Sequence, residues 1–288
     1  MKNFFKKIIK YVLPTKLKQS LKTAYYSVLD VVDSLTGKKK KGLPPRKLNF
    51  VGSADFENVG QEFKQLFVKT GGLKPTDNVL DIGCGVGRMA LPLTEVINQN
   101  GSYLGFDIVK KGIDWCRENI TPKHPNFNFV HANVKNQFYN PKGIIHSEKY
   151  EFPAKNEQCT FAFATSVFTH MLPAEIEQYI KESARVLKKG GKVFFTFFLI
   201  PDSEITYEEA NFKKSSFETH CINFQYLFEN VAYYSHKDCV EAETGYKESW
   251  VKNLFAQNGL HIQKIHTGKW KDPKNGLSYQ DIVVAEKR

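Results

Sequence analysis

The chain has 288 residues, of which 41% are hydrophobic and 25% charged, and this suits one globular α/β domain with extensions. The net charge of +11 comes from residues 1–47, where 13 Lys and Arg stand against two Asp, because the other 28 basic and 28 acidic residues balance. A neutral body argues against nucleic-acid binding, so we expect no nucleic-acid partner. Five scattered cysteines without CxxC spacing argue against a disulfide scaffold or a zinc site, and they favour a reducing cytoplasm.

The first 47 residues predict a basic helical extension followed by a linker. Residues 3–13 place apolar side chains on one helical face and lysines on the other, and a second helical pattern follows over residues 17–35. A basic amphipathic helix is typical of a segment that lies on an anionic membrane surface, although packing on the main domain or on a partner is the alternative. We therefore predict that residues 1–35 of the extension contact the inner face of the membrane peripherally.

From residue 48 to the end, the pattern is that of one α/β domain. Apolar strands alternate with helices, which predicts a parallel sheet with right-handed crossovers. The strands are predicted over residues 78–82, 102–107, 127–132, 159–165 and 192–200, and the helices near 88–97, 110–119 and 174–187.

Residues 201–246 interrupt this alternation with acidic and aromatic residues and few glycines, and we interpret them as a cap or insertion. A helix near residues 246–258 follows. Two further strands, 260–266 and 279–286, are joined by a turn that contains Pro273. The pattern of residues 201–286 therefore predicts a cap and a C-terminal strand hairpin.

The segment VLDIGCGVGR at residues 79–88 carries the most informative pattern. It predicts a strand, then a turn with Gly83, Gly85 and Gly87, and then a helix. Glycines let the backbone approach a ligand closely, and a helix start presents backbone N–H groups. Asp107 ends the next predicted strand, where a carboxylate can accept hydrogen bonds from both hydroxyls of a ribose.

Two cofactors fit such a turn, and Asp81 helps to choose between them. A dinucleotide would place its pyrophosphate at the helix start. S-adenosylmethionine has no phosphate and presents an α-ammonium there. A carboxylate two residues before the first glycine repels a pyrophosphate but stabilises the region around an ammonium, directly or through water. The GxGxG spacing, rather than GxGxxG, also favours S-adenosylmethionine.

The stretch VLDIGCGVGRMALPL resembles motif I of class I S-adenosylmethionine-dependent methyltransferases. YLGFDIVKKGIDWCREN is similar to their second strand and helix, and RVLKKGGKVFFTFF to the helix, turn and strand around their fifth strand. The likeness covers residues 50–200 and the closing SYQDIVVAEKR, and within the class it is greatest to bacterial enzymes with a basic N-terminal helix. It implies a Rossmann-like three-layer sandwich with a seven-stranded, mostly parallel sheet and an antiparallel last strand.

The resemblance also implies where the cofactor and the acceptor bind. Asn133 stands where the family has an acid or Asn near the adenine amino group, and Thr165 and Ser166 follow the fourth strand beside the sulfonium and the acceptor. The implied cofactor-binding residues are Asp81, Gly83, Cys84, Gly85, Gly87, Arg88, Asp107, Ile108, Asn133, Val134, Thr165 and Ser166.

His170 is the candidate general base, because it lies just past the carboxyl end of a predicted strand, where parallel-sheet sites form. A capping or packing role is the alternative for this histidine. No metal site is expected, since the other histidines show no ligand spacing.

The leading hypothesis is a methyltransferase that acts at oxygen on a small-molecule, glycan or lipid-linked acceptor. The basic extension and the polar residues of the predicted cap favour such acceptors. An NAD(P)-dependent oxidoreductase on a Rossmann fold is the main alternative. A membrane- or partner-binding module without activity is a third.

Overall fold

The computed structural model describes residues 24–32, 35–36, 42–48, 55–137, 139–202, 224, 226–235, 241 and 243–288. The chain divides into two compact units, Met1–Phe56 and Glu57–Arg288. In the first unit, residues 24–32 are helical, in agreement with part of the helix predicted over residues 17–35. The helix predicted over residues 3–13 lies outside the described residues, and so do residues 203–223 of the predicted cap.

The strands of the second unit form two sheets. In chain order they are β1 (Asn78–Ile82), β2 (Ser102–Asp107), β3 (Phe127–His131), β4 (Cys159–Ala164), β5 (Leu187–Phe197), β6 (Leu199–Ile200), β7 (Tyr226–Phe228), β8 (Ala232–Tyr234), β9 (Thr244–Lys247), β10 (Leu260–His266) and β11 (Asp281–Lys287).

Within the described residues, the main sheet has seven strands in the order β10-β11-β5-β4-β1-β2-β3. Strands β1 to β5 pair in parallel, whereas β11 is antiparallel to both β5 and β10. The predicted fold class, with its antiparallel last strand, is confirmed. The carboxyl ends of the parallel strands meet at one edge, where ligands bind in such sheets.

Helices cover both faces of the main sheet. They are α1 (Phe56–Leu66), α2 (Ala90–Leu93), α3 (Lys110–Asn119), α4 (Pro173–Val186) and α5 (Glu248–Gln257). Ile113 of α3 shares one hydrophobic core with Val79, while Ile180 of α4 and Phe255 of α5 share the other with Leu80. Adjacent residues of β1 thus point to opposite faces, which gives a three-layer sandwich.

The fifth predicted strand changes sheets near its end. The sequence predicts one strand over residues 192–200, but β5 ends before Phe198, and β6 joins a second sheet in the order β6-β9-β8-β7. The N–H of Leu199 donates to Asp281 Oδ2 at 2.8 Å, and the N–H of Tyr246 donates to the Phe198 carbonyl at 2.8 Å. Partners that are distant in sequence therefore redirect the chain here. The described part of the predicted cap contributes to this second sheet.

The helix predicted over residues 88–97 shortens to the single turn of α2. The N–H of Thr94 is shared between the carbonyls of Ala90 and Leu91 at 3.1 and 3.2 Å, and its hydroxyl donates to the Leu91 carbonyl at 2.6 Å. These competing bonds change the backbone from helical to turn geometry. In the part of the chain that the structure describes, no helix is long and apolar enough to cross a membrane.

Candidate active site

The glycine turn lies at the carboxyl edge of the sheet, between β1 and α2. Ile82 of β1 pairs with Phe106 of β2, so the two strands end side by side. The N–H groups of Gly83 and Cys84 both donate to the Phe106 carbonyl, at 2.9 and 3.0 Å. These two bonds fix the start of the turn to the neighbouring strand.

The three glycines of the turn have different surroundings. A Cβ on Gly83 would lie 2.4 Å from Val167 Cγ2, and one on Gly87 would lie 2.9 Å from Ile120 Cδ1. A Cβ on Gly85 would meet no atom within 4 Å, although its φ of +57° is left-handed. Gly83 and Gly87 thus permit close packing inside the protein, and Gly85 borders open space in which a ligand can lie.

Asp107 ends β2 and is held by two backbone donors. The N–H of Gly85 donates to Oδ2 at 2.8 Å, and the N–H of Val109 donates to Oδ1 at 2.7 Å. Burial raises the pKa of Asp107 to about 6, against the effects of these bonds and of His131, which lower it. Each carboxylate oxygen can accept a further hydrogen bond, so this fixed group can receive two hydroxyls.

Asp81 of β1 is 1% exposed and has one satisfied oxygen. The Tyr103 hydroxyl donates to Oδ2, whereas Oδ1 is the one buried side-chain oxygen or nitrogen without a hydrogen-bond partner in the described residues. Burial raises the pKa of Asp81 to about 8, the Tyr103 bond lowers it, and the charge of Asp107 raises it. A buried orphan oxygen is costly unless a donor or a cation reaches it.

Cys84 and Arg88 have less direct roles at this edge. The Cys84 side chain is buried and would lie 2.9 Å from a Cβ on Gly105, and burial raises the pKa of its thiol well above the usual range. A protonated buried thiol packs as a small apolar side chain rather than acting as a nucleophile. Arg88 is half-buried, and burial lowers its pKa.

Asn133 and Val134 follow β3, next to Asp107. The N–H groups of Ile144 and Ile145 donate to the Asn133 carbonyl, both at 3.1 Å, so the chain folds back on itself here. The Val134 side chain is buried, and Asn133 is partly exposed. Ile108, directly after Asp107, is also partly exposed and packs against the larger core.

The loop after β4 contains Thr165 and Ser166, and Ser166 has a left-handed φ of +56°. Its N–H donates to Thr196 Oγ1 at 2.8 Å, and its hydroxyl donates to Gln280 Oε1 at 3.1 Å. The Thr196 hydroxyl donates to the same Gln280 oxygen at 2.7 Å, and Gln280 Nε2 donates to Thr169. A buried polar network from three parts of the chain therefore holds the loop.

His170 lies past this loop and contacts residues from two distant segments. Its Nδ1 is 3.0 Å from the Glu241 carbonyl, and the Tyr139 ring meets it edge-on with centroids 5.5 Å apart. A carbonyl oxygen only accepts, so the ring carries a proton on Nδ1 and Nε2 is its basic nitrogen.

Of the predicted residues on the turn, Gly85 bonds Asp107 directly, whereas Gly83 and Cys84 bond the carbonyl of Phe106, the residue before Asp107. Sequence reasoning missed Tyr103, Thr196, Gln280 and Glu241, which hold the predicted residues in place. For Tyr103 a signal existed, since Gly105 follows two residues later and leaves space on the same face of β2.

The charge of this edge decides which ligand fits. A pyrophosphate would stand beside two buried carboxyl groups, which disfavours it electrostatically. An ammonium would satisfy the orphan oxygen of Asp81, and vicinal hydroxyls would suit Asp107. The residues present therefore fit S-adenosylmethionine, which carries both groups and no phosphate.

Residues 79–191 match a family model described as a methyltransferase domain. The 2-phytyl-1,4-naphtoquinone methyltransferase of Nostoc sp. is 27% identical over 154 residues, a match that covers 52% of this chain and 60% of that protein. The ubiquinone/menaquinone biosynthesis C-methyltransferase UbiE of Xanthomonas campestris is 26% identical over 227 residues, which cover 73% of this chain and 80% of that protein.

Solved structures agree on the fold. An S-adenosylmethionine-dependent methyltransferase from Mesorhizobium loti superposes with a TM-score of 0.54 at 11% identity, covering 81% of this chain and all of that one. A protein from Pyrococcus horikoshii superposes with a TM-score of 0.52 at 17% identity, covering 84% of this chain and 95% of that one. Residues 79–191 therefore match a methyltransferase domain, and the described sheet has the fold of a solved S-adenosylmethionine-dependent methyltransferase, while the match to the Nostoc relative spans 60% of that protein's length.

Proposed function

We propose that this chain transfers a methyl group from S-adenosylmethionine to a small-molecule acceptor. The observation that carries the proposal is the glycine turn, where Asp107 accepts from the N–H of Gly85, a Cβ on Gly85 would meet no atom, and the buried Oδ1 of Asp81, two residues before the turn, lacks a partner. Bound S-adenosylmethionine supplies a methyl group that its sulfonium already activates. The protein then has to orient the acceptor and exclude water.

Each part of the site has an assigned task in this proposal. Asp81 receives the α-ammonium, and Asp107 receives the ribose hydroxyls. Gly83, Cys84, Gly85, Gly87 and Arg88 form the turn against which the cofactor lies. Ile108, Asn133 and Val134 border the adenine, and Thr165 and Ser166 border the methyl group.

We assign the role of general base to His170 and place the acceptor atom at oxygen. The Glu241 carbonyl fixes the proton on Nδ1, which makes Nε2 the atom that takes a proton from an acceptor hydroxyl. The Tyr139 ring limits the orientation of the imidazole. Such proton transfer contributes roughly 10²–10⁴-fold to a rate.

The curated relatives favour a second candidate acceptor. They are named as quinone methyltransferases, and UbiE is named as a C-methyltransferase. A quinol ring carbon is therefore the alternative to oxygen as the methylated atom. A lipid-tailed quinol is also a lipid-linked acceptor, whereas a glycan acceptor lacks this support.

The first unit supports contact with an anionic membrane surface. Tyr25, Val28 and Val32 of the helix at residues 24–32 lie on one face and are 63%, 62% and 45% exposed, and Leu35 is 82% exposed. Residues 1–47 also hold the entire net charge of +11. Apolar area and basic charge together are what an anionic lipid surface attracts.

The activity is tested by incubating the enzyme with methyl-labelled S-adenosylmethionine and a cell-envelope extract, followed by mass analysis of the product. An O-methyl ether supports oxygen transfer, and a methylated quinol ring supports the alternative.

We expect His170→Ala to lower turnover at least a hundredfold without weakening cofactor binding. His146→Ala, a change at an exposed histidine, is the control. Calorimetry that detects NAD binding and no S-adenosylmethionine binding would overturn the whole proposal.

Membrane contact is tested by sedimentation with phosphatidylglycerol-rich vesicles. The full chain should sediment with them, and a chain that begins at Leu48 should stay in solution while it still binds cofactor. Equal sedimentation of the two proteins, or none by either, contradicts the membrane assignment.

A further inference from the structure

Tyr103 is a buried tyrosine of β2 whose hydroxyl ends at the candidate site. Its ring stacks on Phe127, with 4.8 Å between the centroids and 14° between the planes. Its hydroxyl donates to Oδ2 of Asp81 and leaves Oδ1 of the same carboxyl without a partner. The hydroxyl thus fills one side of a carboxyl group whose other side is unsatisfied.

The backbone explains how the tyrosine reaches this carboxyl. Asp81 pairs with Gly105 in the β1–β2 register, and Tyr103 is two residues before Gly105, on the same face of β2. A Cβ on Gly105 would lie 3.1 Å from Tyr103 Cε1 and 2.9 Å from the Cys84 sulfur. The missing side chain of Gly105 therefore leaves the space that the Tyr103 ring crosses.

We propose that Tyr103 is a positioning residue for the cofactor, because it holds Oδ2 of Asp81 and so presents Oδ1 to the α-ammonium of S-adenosylmethionine. This inference rests on the proposed function and adds to it a residue from the interior of β2. Tyr103 itself is buried and acts through Asp81.

Electrostatics support this role. Burial raises the pKa of Asp81 to about 8, and the Tyr103 bond opposes that rise. The other groups near this carboxyl are Asp107, whose charge raises the pKa of Asp81, and the thiols of Cys84 and Cys116, whose own pKa values Asp81 raises. At neutral pH an arriving ammonium would ionise Asp81, which releases its proton to solvent. Affinity for the ammonium should therefore rise with pH, and loss of the tyrosine hydroxyl should move that rise to higher pH.

The test compares two ligands by calorimetry on the full chain at pH 6.5, 7.5 and 8.5. S-adenosylhomocysteine carries the α-ammonium, and 5′-methylthioadenosine lacks the amino-acid part. We expect Tyr103→Phe to weaken the first ligand about tenfold at pH 7.5, and the second less than twofold, because one hydrogen bond to a charged group is lost. Wild-type affinity for S-adenosylhomocysteine should rise from pH 6.5 to 8.5, and affinity for 5′-methylthioadenosine should stay level.

Two further variants keep the result interpretable. Tyr246→Phe also removes one buried hydroxyl bond, to the Met171 carbonyl, and should leave both affinities unchanged. In an Asp81→Asn background, Tyr103→Phe should cost less than twofold. Equal weakening of both ligands by Tyr103→Phe, or a full tenfold effect in that background, overturns the positioning role. If the wild type binds no S-adenosylhomocysteine, the proposed function fails instead.

Discussion

The two sides of the candidate site are built in different ways. On the cofactor side, the bonds from Gly85 to Asp107 and from Tyr103 to Asp81 each span 22 positions of sequence. On the acceptor side, Ser166 is held by Gln280, 114 positions away, and His170 by Glu241, 71 positions away. One side is a single strand–turn–helix–strand unit, and the other is assembled from distant segments.

In the proposed function, this difference separates two tasks, which are binding the cofactor and orienting the acceptor. The cofactor side uses backbone donors and carboxylates, which suit one ligand with fixed ammonium and hydroxyl groups. The acceptor side uses hydroxyls, an amide and an imidazole on loops, where side chains can change without disturbing the sheet. Substitutions on the cofactor side should therefore abolish cofactor binding. Substitutions on the acceptor side should slow turnover while the cofactor still binds.

The largest expected effect is on the cofactor side. Asp107→Ala should weaken S-adenosylhomocysteine binding at least a hundredfold, because the ribose loses its acceptor and the N–H groups of Gly85 and Val109 lose theirs. Calorimetry measures it. Asp114→Ala, which removes only an exposed ion pair with Lys110, should change affinity less than twofold. If Asp107→Ala binds S-adenosylhomocysteine within tenfold of the wild-type affinity, the ribose does not bind at Asp107.

Asp81→Asn should stabilise the protein without cofactor, and more so as the pH rises. The pKa of Asp81 is about 8 in the folded protein against an ordinary value of 3.8, so between these pH values the unfolded chain releases a proton that the folded protein keeps, and the fold loses stability as the pH rises. Asparagine has no such proton to lose. We expect a gain in unfolding free energy of roughly 5 kcal/mol at pH 8 that fades toward pH 4. Thermal unfolding at pH 5 and pH 8 measures it, and equal gains at both would exclude the charge as the cause.

Alanine at either of two glycines of the turn should lower stability, but only one substitution should also affect cofactor binding. Gly83→Ala should lower the unfolding free energy by about 2 kcal/mol, since its methyl would overlap Val167 at a left-handed φ of +77°. Gly85→Ala should cost about 1 kcal/mol of stability, because it strains a left-handed φ and meets no atom. Only the second should weaken the cofactor more than its stability loss explains. Urea titration and calorimetry compare them, and equal binding losses would mean that Gly85 does not face the cofactor.

The smallest expected effect is on the acceptor side. Gln280→Met removes the oxygen that accepts from Ser166 and Thr196, so unfolding free energy should fall by about 1 kcal/mol. Turnover should fall about tenfold as the loop loosens, and affinity for S-adenosylhomocysteine should stay within threefold. Steady-state kinetics with calorimetry separate these outcomes. A larger loss of cofactor affinity than of turnover would contradict the division between the two sides.

The amino-acid sequence by itself determined the frame of this domain and the strand–turn unit that carries Asp81, the three glycines and Asp107. The bounds of β1, β2, α3 and β10 agree with the predictions over residues 78–82, 102–107, 110–119 and 260–266. These elements are short apolar or amphipathic segments that glycines or polar turns end, so local pattern suffices to place them. The spacing from Asp81 through the glycines to Asp107 likewise lies within one such unit.

Only the tertiary structure decided where β5 stops, what holds Ser166 and His170, and that Tyr103 pairs with Asp81. The apolar run over residues 192–200 is continuous, so its pattern contains nothing that marks the change of sheet at Phe198. A hydrogen bond between distant residues depends on strand order and register, which a local pattern does not encode. For the same reason, the sequence alone does not predict that Thr196 and Gln280 contact Ser166, because this contact requires β5 and β11 to pair in the folded sheet.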